Sequence, residues 1–197
     1  MAPIKKTTVK NTQQGFALLM TLIVVTVVIA IGLTVLDLST KQIRLATNAK
    51  DSEIAFHAAN AGMECARYWR RQSSLAMETG GAVTPSCFGS ALYSNNRAQI
   101  TSNVSGSGAV YKYDYSFTWG GNTRCSQITT LVASSTSQGS GLTIGNMTTL
   151  VPGYPTGNSK TCAAGERCTV LSVRGYNKPC NSASGYGTVQ REVLLQF

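Results

Sequence analysis

Acidic residues are scarce in this chain. Eight Asp and Glu stand against seventeen Lys and Arg, and charged residues of both signs make up 13% of 197. Histidine occurs once, at His57, and prolines number five. No P-loop, G-x-G-x-x-G or H-E-x-x-H is present, so the common phosphate, dinucleotide and zinc-protease signatures are excluded. The carboxylates are too scattered to nominate an acid–base pair. Asp51 and Glu53 are two apart on a helix-forming stretch and do not face each other. His57 has no Ser or Asp constellation to join it. These absences leave no expected catalytic, cofactor-binding or metal-binding residue, and the reading is of a protein that is not an enzyme. Zinc is further disfavoured because C-x2-C is missing.

What is present begins with Phe16 to Leu36, a run without a single charge, closed by Asp37. As a helix at roughly 1.5 Å per residue it is about 30 Å long, enough to cross a bilayer core. Before it stands a polar leader, residues 1–15, with Lys5, Lys6 and Lys10 and no acid. Cations ahead of an apolar span predict a cytoplasmic N-terminus and export of the rest. The run is too long for the core of a cleaved secretory signal, and no A-x-A-like site follows, so the span should be retained. Six cysteines, Cys65, Cys87, Cys125, Cys162, Cys168 and Cys180, all lie beyond it. An even number on the exported side reads as up to three disulfides. Cys65–Cys87 ranks first for Cys65, and Cys162 and Cys168 stand close enough in sequence to close a small loop.

The boundary itself carries a resemblance. Gln14-Gly15-Phe16-Ala17-Leu18-Leu19 resembles the class III leader of type IV pilins and secretion pseudopilins. That resemblance implies cleavage by a prepilin peptidase between Gly15 and Phe16, and methylation of Phe16 as the new N-terminus. It also implies that other pilin subunits are partners through the N-terminal helix, after a period in inner-membrane lipid. The fifth residue from Phe16 is Met20, where major subunits of the family carry a glutamate. This departure points to a minor subunit. A second point of likeness is Ala55-Phe56-His57-Ala58-Ala59-Asn60-Ala61-Gly62, similar to the AF-x-AA-x-A stretch of PilX-type minor pilins. Small residues there let another backbone approach closely.

From Asp37 to about Arg71 good helix formers dominate. Leu45, Ala49, Phe56, Ala59, Met63 and Ala66, with Ser52 between, predict one buried face. Gly80-Gly81 and Pro85 forbid continuation, and residues 72–105 read as an irregular, partly ordered connection. Val110 to Trp119 alternates, with Tyr111, Tyr113, Tyr115, Phe117 and Trp119 on one side, and predicts a half-buried strand. Gly120-Gly121-Asn122 is a turn, and Arg124 to Ser134 the returning strand. Residues 134–161, rich in Ser, Gly and Thr, read as a long exposed loop. Cys168–Tyr176 and Gly187–Phe197 complete about four strands. The expected fold is α+β: a long N-terminal helix packed on a small antiparallel sheet, as in a pilin. The expected division is leader 1–15, membrane or filament-core segment 16–36, helical stem 37–72 and disulfide-containing head 73–197.

Three functional classes follow. The first is a structural minor subunit of a type IV pilus-like filament, acting in assembly initiation or at the tip, with a type II secretion pseudopilin as the alternative. The second is a binding module, in which Arg67, Arg70 and Arg71 beside Tyr68 and Trp69 gather DNA or another anionic surface. The third is a membrane-anchored surface protein that forms no filament. The expected location is the bacterial cytoplasmic membrane, with the C-terminus outside, and then the extracellular filament.

Overall fold

A computed structural model describes residues 13–87, 89–90, 92–155 and 157–197. The basic leader with Lys5, Lys6 and Lys10 lies outside the described residues. The chain divides after Thr47 into two compact units. Helix α1, Gln13–Gln72, begins in the first and ends in the second. It contains no proline, which is why nothing breaks it over sixty residues. A short helix α2, Ser74–Thr79, follows and is stopped by Gly80 in the left-handed conformation at φ 75°. A side chain at Gly80 would strike the Tyr111 ring, so glycine is required there for space as well as for backbone.

The second unit, Asn48–Phe197, holds the strands. They are β1 (Leu92–Gln99), β2 (Val104–Gly106), β3 (Gly108–Trp119), β4 (Arg124–Ser135), β5 (Leu142–Gly145), β6 (Ser159–Cys162), β7 (Arg167–Tyr176) and β8 (Gln190–Gln196). A four-residue helix, α3 (Met147–Leu150), separates β5 from β6. The main sheet has order β1-β3-β4-β7-β8 and is antiparallel throughout. Its four consecutive strands β3, β4, β7 and β8 are the expected meander. The β3–β4 hairpin turns at Gly120–Thr123, closing Trp119 against Arg124.

Two expectations are corrected. Residues 72–105 are more regular than a partly ordered connection: α2, β1 and the start of β2 lie there. Strand β1, LYSNNRAQ, shows no apolar alternation because it is a sheet edge exposed along most of its length. Polar bonds hold it instead, Asn95 Nδ2 donating to the Val83 carbonyl at 2.8 Å and Arg97 to the Gly80 carbonyl. Residues 134–161 are likewise not a loop. Strands β2, β5 and β6 form a second, three-stranded sheet. Leu142, Ile144, Met147 and Val151 are buried there with Val110, Leu131 and Val170 of the main sheet. The Ser- and Gly-rich composition masks an alternating Leu142-x-Ile144 pair that would otherwise mark a strand.

The larger core lies between the sheet and the C-terminal part of α1. Tyr113, Tyr115, Phe117, Ile128, Val132, Leu171 and Val173 meet Met63, Ala66 and Met77. Tyr115 and Phe117 pack edge to face at 5.8 Å between centroids. The helix contributes mostly small side chains: Ala55, Ala58, Ala59, Gly62 and Ala66 are buried. Thus the buried face is rotated from the expected one. Ala59, Met63 and Ala66 belong to it, but Phe56 is 49% exposed and Leu45 72% exposed, and Ala49 is exposed too.

The small face permits contact of backbone with backbone. A Cβ placed on Gly175 of β7 would run into the Ala55 carbonyl oxygen and the Ala59 amide nitrogen, and lie 2.8 Å from the Ala58 carbonyl carbon. One on Gly62 would lie 2.7 Å from Val173 Cγ1. Between them, Ser126 Oγ of β4 donates to the Ala58 carbonyl at 2.7 Å. Helix and sheet therefore touch where neither has a side chain to retract. Gly175→Ala is expected to destabilise the protein by about 3 kcal/mol or more, because rigid backbone must move. Denaturant unfolding of the full chain in detergent checks this, and a loss below about 1 kcal/mol would contradict the close approach.

Burial also acts on the core tyrosines. It pushes the Tyr115 phenol up to about 12. Tyr113 and Tyr176 are raised by burial as well. A phenol whose folded pKa exceeds its unfolded value of about 10 stabilises fully below that pH. The contribution is lost as pH rises toward 12. For Tyr115 the loss is about 2–3 kcal/mol. Stability measured from pH 9 upward should fall through this window, and the fall should be shallower in Tyr115→Phe.

Candidate functional site

The candidate assembly segment lies in the first unit. From Phe16 to Leu36 every side chain is exposed, Phe16 at 64% and Met20 at 47%. No charge interrupts the run. Its three threonines leave no free hydroxyl hydrogen: Thr21, Thr26 and Thr34 donate to the carbonyls of Leu18, Ile23 and Ile31 at 2.8–2.9 Å. Such internal satisfaction is what a hydrocarbon environment demands of a polar side chain. The first charges to appear pair with each other, Lys41 Nζ lying 2.8 Å from Asp37 Oδ2. By length and composition α1 is able to cross a membrane. Gly15 and Phe16, the residues of the expected cleavage, both fall within this helix.

In the second unit the three arginines near the end of α1 are not brought together as one exposed patch. Arg70 is 6% exposed and turned inward. Its guanidinium donates to Glu78 Oε1 of α2 at 2.8 Å and to Thr169 Oγ1 of β7 at 2.9 Å. Arg167 of β7 approaches the second oxygen of Glu78 at 3.1 Å. Arg67 pairs with Glu64 at 3.1 Å, and only Arg71 is both exposed and uncommitted among the three. This corrects the sequence-based expectation of a basic anion-binding cluster. Arg70 and Arg71 are adjacent in sequence, but the one on the buried side could be recognised only by knowing that Glu78 comes back against it. Tyr68 remains exposed, whereas Trp69 is half-buried and donates through Nε1 to the Ser86 carbonyl at 3.0 Å.

The six cysteines form three disulfides. Cys65–Cys87 fastens the chain after α2 to the last turns of α1, with Cα atoms 6.0 Å apart. Cys162–Cys168 joins β6 to β7. Cys125–Cys180, with Cα atoms 4.8 Å apart, ties the start of β4 to the short 3-10 turn after β7. Among the described residues no cluster of three or more His, Cys, Asp or Glu is placed to hold a metal. His57 stands on the exposed side of α1, 3.6 Å from Glu53.

The exposed apolar span thus heads a chain whose second unit is α+β and carries three disulfides. A family model described as PilX N-terminal matches residues 14–64. The match covers the apolar run and the Ala55–Gly62 face, about a quarter of the chain, and makes that segment similar to the N-terminal part of PilX-type type IV pilins. No curated protein and no solved structure matches the chain.

Glu78 is the hinge of the arginine network. Glu78→Ala would leave Arg70 buried without its counter-charge, a loss of about 3–5 kcal/mol. Arg71→Ala, at an exposed site, should stay within about 0.5 kcal/mol. Thermal or denaturant unfolding of both variants checks the pair. Equal effects would show that burial does not distinguish the two arginines.

Proposed function

We propose that this chain is a minor subunit of a type IV pilus-like filament, recruited at initiation or at the tip rather than along the shaft. The observation that carries the reading is Met20. It is exposed, uncharged and fifth from Phe16, where a shaft subunit would present an acid to a neighbour's terminal amine. Without that acid the span offers only apolar contact. Moving it from lipid to a bundle of like helices changes its surroundings little, so packing rather than a charge pair selects its place.

In this reading a prepilin peptidase cuts between Gly15 and Phe16, and Phe16 is methylated. The span resides in the cytoplasmic membrane until assembly, with the disulfide-bonded unit on the outer side. Partner subunits are met through the helix and through exposed parts of the second unit. Phe56 and Tyr68 on the free side of α1 are available for such contacts.

Mass spectrometry of the mature protein should find methylated Phe16 at its N-terminus. A retained Met1, or a terminus beyond Leu36, would contradict processing of this kind. Met20→Glu should raise the amount of the subunit recovered in sheared filaments several-fold. Unchanged recovery would contradict the role assigned to the missing acid.

A further inference from the structure

The main sheet turns one face to α1. The small sheet and α3 cover one end of the opposite face, over Val110, Leu131 and Val170. The other end is open and holds a cleft of about 250 Å3. Lys112 and Asp114 of β3, Gln127 and Thr129 of β4 and Arg174 of β7 line it, with Pro152 at the rim. These residues sit on the same face because they occupy alternate positions in paired strands.

Most of the lining groups already have partners, and the pattern shows what remains. Asp114 accepts from Thr129 Oγ1 at 2.7 Å and pairs with Lys112 Nζ at 3.0 Å. Gln127 Oε1 accepts from the Tyr176 hydroxyl at 3.1 Å, which leaves the amide nitrogen as its free end. Ser94 and Ser116 bond each other at 2.6 Å. Glu192 is the cross-strand neighbour of Arg174 but accepts from Ser172 Oγ at 2.6 Å instead. Arg174, half-buried, has no hydrogen-bond or ion-pair partner among the described residues. The cleft therefore presents a guanidinium fork, an amide N–H2 and the remaining N–H groups of Lys112.

We infer that this cleft binds a small saccharide bearing a single carboxylate, a uronic-acid residue, with Arg174 as the carboxylate fork. A planar guanidinium matches a carboxylate with two parallel bonds. Asp114 keeps lone pairs that accept from sugar hydroxyls, which acetate and inorganic phosphate do not offer in that arrangement. Gln127 supplies a further donor. The volume lies below the ~300–1,000 Å3 of clefts that enclose drug-sized ligands, and suits one sugar ring. This site is independent of the filament role and of the N-terminal span.

Ligand-observed NMR on the full-length chain, in a non-glycosidic detergent, tests the inference with D-glucuronate, D-glucose, acetate and inorganic phosphate. Glucuronate should give saturable binding. Glucose, acetate and phosphate should each bind at least about tenfold more weakly, since each lacks part of the match. Arg174→Gln should weaken glucuronate binding at least about tenfold. Arg174→Lys, which keeps the charge and loses the fork, should weaken it several-fold and decides the matter if Arg174→Gln does not fold. Arg71→Gln should leave binding unchanged. No saturable glucuronate binding, equal binding of acetate or phosphate, full binding by Arg174→Lys, or an equal loss in Arg71→Gln would overturn the assignment.

Discussion

The contact of α1 with β7 at Gly175 constrains everything around it. Two backbones meet there without intervening side chains, so the helix face must be Ala55, Ala58, Ala59 and Gly62, and the strand must present a glycine. Close approach has a second consequence. Ser126 reaches the Ala58 carbonyl only because the helix lies so near the sheet. The larger residues, Met63, Tyr113, Tyr115 and Phe117, then fill the space where helix and sheet diverge. A bulkier helix face would lift this core open and leave cavities of the kind that cost several kcal/mol.

Around that contact the end of the helix is secured by unlike means. The Cys65–Cys87 bridge ties the last turns to the chain after α2, and Arg70, Glu78 and Arg167 tie them to α2 and β7. The ionic group is not a source of net stability by itself, since desolvating charges costs about what pairing returns. Its effect is to make one arrangement of α1, α2 and β7 much better than any other, because every misplacement strands a buried charge. The disulfides act chiefly on the unfolded chain by restricting its freedom. Together they let a modest core hold a polar, sparsely charged exterior.

Much of this was legible in the residues. The unbroken helix, the aromatic strand from Val110 and the meander of β3, β4, β7 and β8 follow from the apolar pattern and the turn at Gly120–Asn122. Two parts were not. Strand β1 is an edge with both faces largely wet, so no period of two is imposed on Leu92–Gln99. The second sheet is short, and its few apolar residues are diluted by Ser, Gly and Thr. The arginines show a different limit. Charge runs are read as solvated, and nothing local marks Arg70 as the member that finds an acid eight residues on. The small residues of the AF-x-AA-x-A stretch do admit close backbone approach, and the backbone that arrives is the chain's own β7. The family match ends at residue 64 and so includes this face. Within the matched segment, the apolar run stays exposed, while the small-residue stretch is buried inside the protein.

That division of the helix is most directly tested by nuclear Overhauser contacts in detergent-solubilised full-length protein. The Gly175 α-protons should show contacts to the amide and methyl protons of Ala58 and Ala59 within a single molecule. In a mixed sample of labelled and unlabelled chains, isotope filtering should remove none of these contacts from the intramolecular set. Their absence, or their appearance only between molecules, would contradict the account.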